Sequence, residues 1–481
     1  MESIGRASMR GGPTARRLPR TAIGLVFLAA GCGTPGGAGF NFTRDADRVS
    51  GDASLIQFRT EAGPLDEPGA PGPSLTRADA VRLALAGDPD LQVALAKVRS
   101  AEADARQARL LPNPVLSVVV RFREGGADSP IITPSLTTDL LAILQQPTRT
   151  RAADRRLRAT AADALTAVLD VTAGVEEAYE AAQSLDAQVA VLADRRALFD
   201  RLLNVARARL EAGEGTRLDV TTAQGERLAV EEQLAERELQ RRTKRLALAR
   251  LIGRPSDPAQ WQLDPWQPPA GVSTEETAWV NAALANRPEV QARRWELAAA
   301  GDAAALAGSD VWKGLEAGAE FERDVTWSGG PSVAAPIPLF DWGQAAKAKA
   351  RAAQIQARHE LTKARRAVVE ETRSALATLV TSQAALARVR SELVPLQQQR
   401  RQQAEALYRA GEADLTSLLV AEQGVQDARE REVLLGETAA SALAKLHRAV
   451  GGRSVAAALT DAAGEMRPAE PTTAPATKGA Q

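Results

Sequence analysis

The sequence predicts a mainly α fold with a small β part, built as a duplicated helix–β-hairpin–helix repeat. Three observations carry this. The phrase "ALAGDPDLQ" at 84–92 returns as "ALANRPEVQ" at 283–291, and "AGE" at 212–214 returns at 410–412, so two anchors share nearly one offset. Long segments between the anchors space apolar residues by alternating fours and threes, the signature of a helix packed along a seam. A segment of about ten residues with strict in–out alternation stands at an equivalent place in each copy.

The repeated phrase is helix punctuation. Asp88 precedes Pro89, and Asn286-Arg287 precede Pro288. An acceptor side chain just before a proline at the first helical position starts a helix. Helices are expected from 89 to about 111 and from 288 to about 312. The segment 148–212 contains no proline and carries a heptad seam through Ala164, Val168, Val171, Val175, Ala178, Ala182 and on to Leu210, with Arg196 as its charged exception. As one helix it would measure roughly 97 Å. The matching segment 342–410 would measure roughly 104 Å, with a kink expected at Pro395. Shorter helices, about 216–252 and 414–451, return after each AGE turn. Stacked end to end with the helices begun at Pro89 and Pro288, they reach roughly 90–95 Å. Each repeat is therefore a long helix beside a two-piece helix of matching length.

In "VLSVVVRFRE" (115–124) Leu116, Val118, Val120 and Phe122 share one face, opposite Arg121 and Arg123. In "LEAGAEFERD" (315–324) Leu315, Ala317, Ala319 and Phe321 oppose Glu316, Glu320 and Glu322. Partner strands are expected at about 132–141 and 332–340. Ten residues is the length of a membrane-crossing β-strand. Four strands cannot close a barrel alone, and an open edge in lipid leaves backbone groups unpaired. Several chains would have to share one barrel.

The chain of 481 residues carries 60 basic and 60 acidic side chains, so its balance points to no nucleic-acid partner. Hydrophobic residues make up 44% but aromatics only 4%, a composition suited to close helix packing. Arg6, Arg10, Arg16, Arg17 and Arg20 precede the short apolar core "TAIGLVFLAA" and then "LAAGC" with Cys32, the single cysteine. That is an export signal over 1–31. It resembles a bacterial lipobox, in which leucine usually stands three residues before the cysteine, where this chain has Ala29. Acyl and diacylglyceryl groups on Cys32 would tether the mature chain to a membrane surface, and Gly33 after it favours the outer membrane. Residues 32–73 read as a linker, 74–270 and 271–452 as the two repeats, and 453–481 as a disordered tail. His359 and His447 stand apart in helical segments, so no metal-ligand spacing exists. No cofactor and no enzyme activity are expected.

These features, with the phrases "LTRADAVRLALAGDPDLQVALAKV", "LLPNPVLS", "APIPLFDWGQAAKAKARAA" and "ALYRAGEADLTSLL", resemble the TolC family of outer-membrane efflux channels over about 75–452. The resemblance implies a homotrimer whose twelve-stranded β-barrel continues into a twelve-helix α-barrel across the periplasm. It implies a periplasmic adaptor (membrane fusion protein) and an inner-membrane transporter as partners, outer-membrane lipid around the barrel, and no hydrolysis by the channel itself. The AGE turns become periplasmic tips, with Gly213, Thr216, Arg217, Asp219, Tyr408, Gly411 and Asp414 as tip and gate residues. Ala413 stands where family members carry an arginine, with Arg217 or Asp414 as substitutes. Arg121, Arg123, Glu316, Glu320 and Glu322 become lumen residues. A type I protein-secretion channel and a non-pore periplasmic coiled-coil scaffold are the competing readings.

Overall fold

The computed structural model describes residues 56–61, 63–66, 72–122, 130–267, 269, 271–324 and 326–465. Cys32, Arg123 and the export signal expected over 1–31 lie outside the described residues. A short strand β1 (Ser74–Leu75) leads into α1 (Arg77–Gly87) and α2 (Pro89–Arg109). Strands β2 (Val115–Arg121) and β3 (Ile131–Asp139) follow, then α3 (Leu140–Glu211) and α4 (Arg217–Leu251). The second repeat runs through β4 (Gln262–Leu263), α5 (Glu276–Asn286) and α6 (Pro288–Ser309), then a 3-10 turn at Asp310–Trp312. It continues as β5 (Glu316–Arg323), β6 (Trp327–Ala334), α7 (Gln344–Arg388), α8 (Val394–Ala410) and α9 (Leu415–Val450), and α10 (Arg453–Glu465) closes the described chain.

The helix α3 is 72 residues long, roughly 108 Å. Its neighbours are α2 and α6 towards the sheet, and α4 and α9 towards the turns. Beyond them α7 packs on α6 and α9, and α8 on α9. The near half is thus a row α2–α3–α6–α7, and the far half a row α4–α3–α9–α8. Each two-piece strut is stacked as its length requires. Arg250, at the end of α4, acts electrostatically on Asp88 at the start of α2. Gly451, after α9, sits against the backbone of Asn286 before α6.

The two junctions use different chemistry. Asp88 caps α2 by accepting the Leu91 N–H at 2.9 Å. The second junction has no side-chain cap, a correction to the expected acceptor there. Arg287 occupies the position instead, 1% exposed, and pairs with Glu289 at 3.0 Å and Glu371 of α7 at 2.5 Å. Arg448 of α9 joins the cluster through Asp170 of α3 at 2.5 Å and through Glu289 and Glu371, each at 3.3 Å. One knot of charge thereby fastens α3, α6, α7 and α9.

A second tie crosses the repeats. β1 and β4 pair in parallel, and the chain beyond β4 runs over α3 and α9. The Tyr179 hydroxyl donates to the Leu75 carbonyl at 2.8 Å and accepts the Asp264 N–H at 3.0 Å. Burial pushes the Tyr179 phenol up to about 12. Trp266 then lies on Gly436 of α9, where an added Cβ would meet the indole at 2.1 Å. Only a residue without a side chain admits that approach.

Four expectations are corrected. The long first helix begins at Leu140, capped by the Asp139 carboxylate on the Ala142 N–H at 2.8 Å, and carries Pro147 inside it. The fourth strand is Trp327–Ala334, not 332–340: the hairpin is tight, pairing Arg323 with Trp327, and Pro336 and Pro338 lack the N–H a longer ladder needs. The tail from 453 begins as α10, anchored by Arg453 on Glu176 at 2.6 Å and by buried Ala456. Part of the linker docks, since the Arg59 N–H donates to Gln92 and Asp66 accepts the Ser256 N–H. Where a kink is expected at Pro395, a π-helical turn, Val389–Leu393, immediately precedes it.

Breaking a buried ion pair from one side costs about 3–5 kcal/mol, whereas an apolar isostere costs less. The double change Glu289→Gln/Glu371→Gln, which strands the Arg287 guanidinium, is expected to destabilise the chain by about that amount. Arg287→Met should cost less. Urea unfolding followed by circular dichroism reads the order, and the reverse order would remove the buried cation from this account.

Candidate functional site

Three features stand out: a two-faced sheet with free edges, two helix edges carrying apolar stripes, and a pair of turns at the far end. The sheet order is β2-β3-β5-β6, antiparallel throughout. The register sorts its residues. Ser117 faces Ser135, Ser135 faces Glu320, and Glu320 faces Gly330. Arg121, Glu316, Glu320 and Glu322 therefore share one face with serines and threonines. Leu116, Val118, Val120, Leu136, Phe321 and Val333 share the other, and all six are exposed. An antiparallel sheet with an exposed apolar face is out of place in water. Among the described residues neither β2 nor β6 has a strand partner on its outer side, so each presents unpaired backbone groups.

The helix rows end in the same unpaired way. Along the outer side of α4, Leu218, Thr221, Gly225, Leu228, Glu232, Ala235, Leu239, Arg242 and Leu246 are all exposed at alternating spacings of three and four. On α2 the exposed series is Val93, Ala96, Ser100, Ala103, Gln107 and Leu110. The opposite edge shows Ala345, Ala348, Ala352, Ile355, His359 and Thr362 on α7, then Leu396, Gln399, Gln403 and Leu407 on α8. Among the described residues these seams have no partner helix. Sequence reasoning had followed only the α3 seam, which is the buried one. The signal was present: α4 carries two stripes, Ala223 and Val230 inward and the leucines outward.

The turns are built alike. Gly213 and Gly411 adopt φ of +76° and +75°, a conformation that favours glycine at a helix end. Glu214 N–H donates to the Arg209 carbonyl at 2.9 Å, and Glu412 N–H to that of Leu407 at 3.0 Å. Thr216 and Asp219 form a reciprocal capping box, with the Thr216 N–H on the Asp219 carboxylate at 2.9 Å and the Asp219 N–H on the Thr216 hydroxyl at 3.1 Å. Asp414 caps α9 by accepting the Ser417 N–H at 3.0 Å. Arg217 is exposed beside them. Tyr408 is buried among Phe199, Ala223, Leu415 and Leu419. The guanidinium of Arg209 lies 4.8 Å from the Tyr408 ring centroid. Within one chain the structure thus couples Tyr408 to Arg209 and Asp219 to Thr216. Arg209 was not singled out from the sequence, because an arginine in a charged last turn carries no distinguishing pattern.

Above the turns the α8–α9 pair holds buried polar groups. Glu422 is 4% exposed and Gln426 6%, and Arg401 approaches Glu422 at 3.6 Å. Burial pushes the Glu422 carboxyl above its usual range, and Arg401 only partly offsets this.

Comparisons with known proteins agree with this geometry. The sequence profile of the outer membrane efflux protein family matches residues 80–254 and 279–452, one segment in each repeat. No curated protein matches the sequence. Among solved structures, the outer membrane protein VceC from Vibrio cholerae is 20% identical over 78% of this chain and 96% of its own, with a TM-score of 0.66. The CmeC outer membrane channel of Campylobacter jejuni is 17% identical over 83% and 92%, at 0.63. The MtrE outer membrane channel of Neisseria gonorrhoeae, in its open state, is 19% identical over 78% and 88%, at 0.61. At these identities the likeness is one of fold. The family profile covers most of the chain and both copies of its repeat, and the chain belongs to the outer membrane efflux protein family.

Proposed function

We propose that three copies of this chain close into one channel. Their sheets would join as a twelve-stranded barrel in the outer membrane, and their helix rows as a barrel reaching through the periplasm. The carrying observation is the four-stranded sheet with one exposed apolar face and two free edges. Such a sheet is viable in lipid only when closed, and this chain alone supplies too few strands. The edge stripes on α2 and α4 and those on α7 and α8 support a head-to-tail ring, since the two edges differ and each lacks a helix neighbour.

In this reading Arg121, Glu316, Glu320 and Glu322 wet the lumen, and the lipid-facing side is the apolar one. The channel is a passive conduit for small molecules or ions delivered by an inner-membrane transporter through a periplasmic adaptor. Cys32 carries acyl groups that tether the N-terminus to the outer membrane. The turns at Gly213 and Gly411 are the periplasmic tips, and the Asp219 charge helps hold them closed. A coiled-coil scaffold would have no use for a two-faced sheet at equivalent places of both repeats, which favours the channel.

Purified protein in a planar bilayer should conduct; silence under every condition, with a monomeric mass, would remove the channel reading. Asp219→Asn keeps an acceptor for the Thr216 cap and loses the charge. Its closed-state leak should exceed that of the unmodified channel, and an unchanged leak excludes Asp219 from the gate. Glu422 supplies a pH test. Its carboxyl is held above 4.5 by burial, so its ionised form costs folded stability. Below about pH 4.5 the group is protonated folded or unfolded and the cost vanishes; it grows as pH rises through the raised folded value. Glu422→Gln should therefore gain in Tm over the unmodified protein between pH 4 and pH 7, and a difference that shrinks over that range contradicts the assignment.

A further inference from the structure

We infer that the strap Ile337–Trp342 of one copy packs onto the Leu110–Leu111 end of α2 in the next copy, locking the subunit boundary where sheet gives way to helix. This rests on the ring proposed above and names the surface that holds it shut.

The strap is unusually bare. Ile337, Leu339, Phe340 and Trp342 are 79%, 69%, 92% and 62% exposed. Single exposed apolar residues are ordinary, but four within six positions form a patch that marks an interaction. The second patch is Leu110 and Leu111, 58% and 63% exposed.

The two patches stand level at opposite ends of one row. Gln146 of α3 donates to the Arg109 carbonyl at 3.0 Å and Arg149 to that of Leu110 at 3.2 Å. On the other side of α3, Gln145 reaches Ser309 of α6 at 2.8 Å. Gly343, ending the strap, lies against Ala307 and Val311. The order at this height is therefore Leu110, α3, the end of α6, then the strap. Strand direction brings the ends together between copies. β6 runs down into the strap and β2 runs up from Leu111, so an antiparallel β6–β2 pairing across the boundary sets Ala334 near Val115. The strap then follows directly onto the end of α2.

Both surfaces are held in place before any partner arrives. Pro336 and Pro338 stiffen the strap. Asp341 accepts the Gly343 N–H at 2.8 Å, Gln344 accepts the Trp342 N–H at 2.9 Å, and Lys347 donates to the Trp342 carbonyl at 3.1 Å. Beside Leu110 and Leu111 a cleft of about 430 Å³ opens, with Arg149, Arg156 and Leu306 also on its wall. Preorganised apolar anchors lose little freedom on docking.

The test uses the full-length mature protein. A Leu111→Cys/Phe340→Cys variant treated with a short bismaleimide should give a ladder of covalent dimer and trimer, with neither single variant doing so; the single variants also report any contribution from Cys32. Phe340→Asp should lower the association constant by on the order of tenfold or more, while Phe340→Leu keeps the trimer. If native mass spectrometry shows a trimer but the double variant yields no ladder, the lock is wrong and the ring stands. The lock also fails if brominated lipid quenches Trp342, read as the difference from Trp342→Phe, because the strap would then face the bilayer. A monomeric unmodified protein would overturn the ring and the lock together.

Discussion

The structure depends on matching one uninterrupted helix with struts made of two pieces. α3 runs as one helix for 72 residues, with Pro147 the residue inside it that has no N–H to pair, so along its length it needs little beyond side-chain cover. The strut beside it cannot be one helix, because the chain must turn back at the tip and later leave for the sheet. Each strut therefore contains a joint, and a joint exposes helix ends that must be satisfied. Asp88 does this with a local cap. Arg287 supplies no such cap and holds its joint instead through an ion-pair cluster that also binds α3, α7 and α9. The same duplicated phrase thus yields a self-contained joint in one repeat and a shared anchor in the other.

Small side chains make this arrangement possible. Ala159, Ala161, Ala162, Ala164, Ala173 and Ala182 are buried along α3, so its neighbours approach closely. Larger groups are reserved for the crossing between repeats. There Trp261, Trp279 and Tyr179 are buried, and each indole or hydroxyl that finds a partner fixes a loop, as Trp279 does by donating to the Ser273 carbonyl at 2.9 Å. The crossing also carries charge. Glu180, paired with Arg77, is pushed upward by burial more strongly than that cation lowers it.

Much of this was legible in the sequence because it is periodic. The repeated phrase, the seam along α3 and the alternation in β2 and β5 are patterns of residue type, and periodicity converts directly into faces. What was not legible depends on neighbours. "WSGGPS" reads as a turn, yet all of it lies in β6, because pairing to β5 overrides its weak strand preference. Asp139 starts α3 well before Pro147 because the helix begins where the sheet ends, a tertiary circumstance. The leucines of α4 repeat as clearly as the valines of α3, but periodicity cannot say which stripe finds its partner inside the chain. The tip residues were locatable from the glycines, whereas the Arg209–Tyr408 contact joins two repeats and needed the fold.

The fastenings differ along the length of the rows. At the joints, partway between sheet and tips, α3, α6, α7 and α9 are tied by Arg287 and Arg448, and Trp266 clamps α9 at Gly436. Towards the tips, Arg237 of α4 pairs with Glu430 of α9 at 3.2 Å and Arg390 pairs with Glu432 at 2.6 Å. α8 is separated from α7 by a π-helical turn, whose backbone pairing is already irregular. Its contact with α9 buries Glu422 and Gln426, groups whose burial is costly. At the very end the second repeat meets the first through Tyr408 in an apolar cluster and through capped turns that keep each helix whole if the two repeats separate.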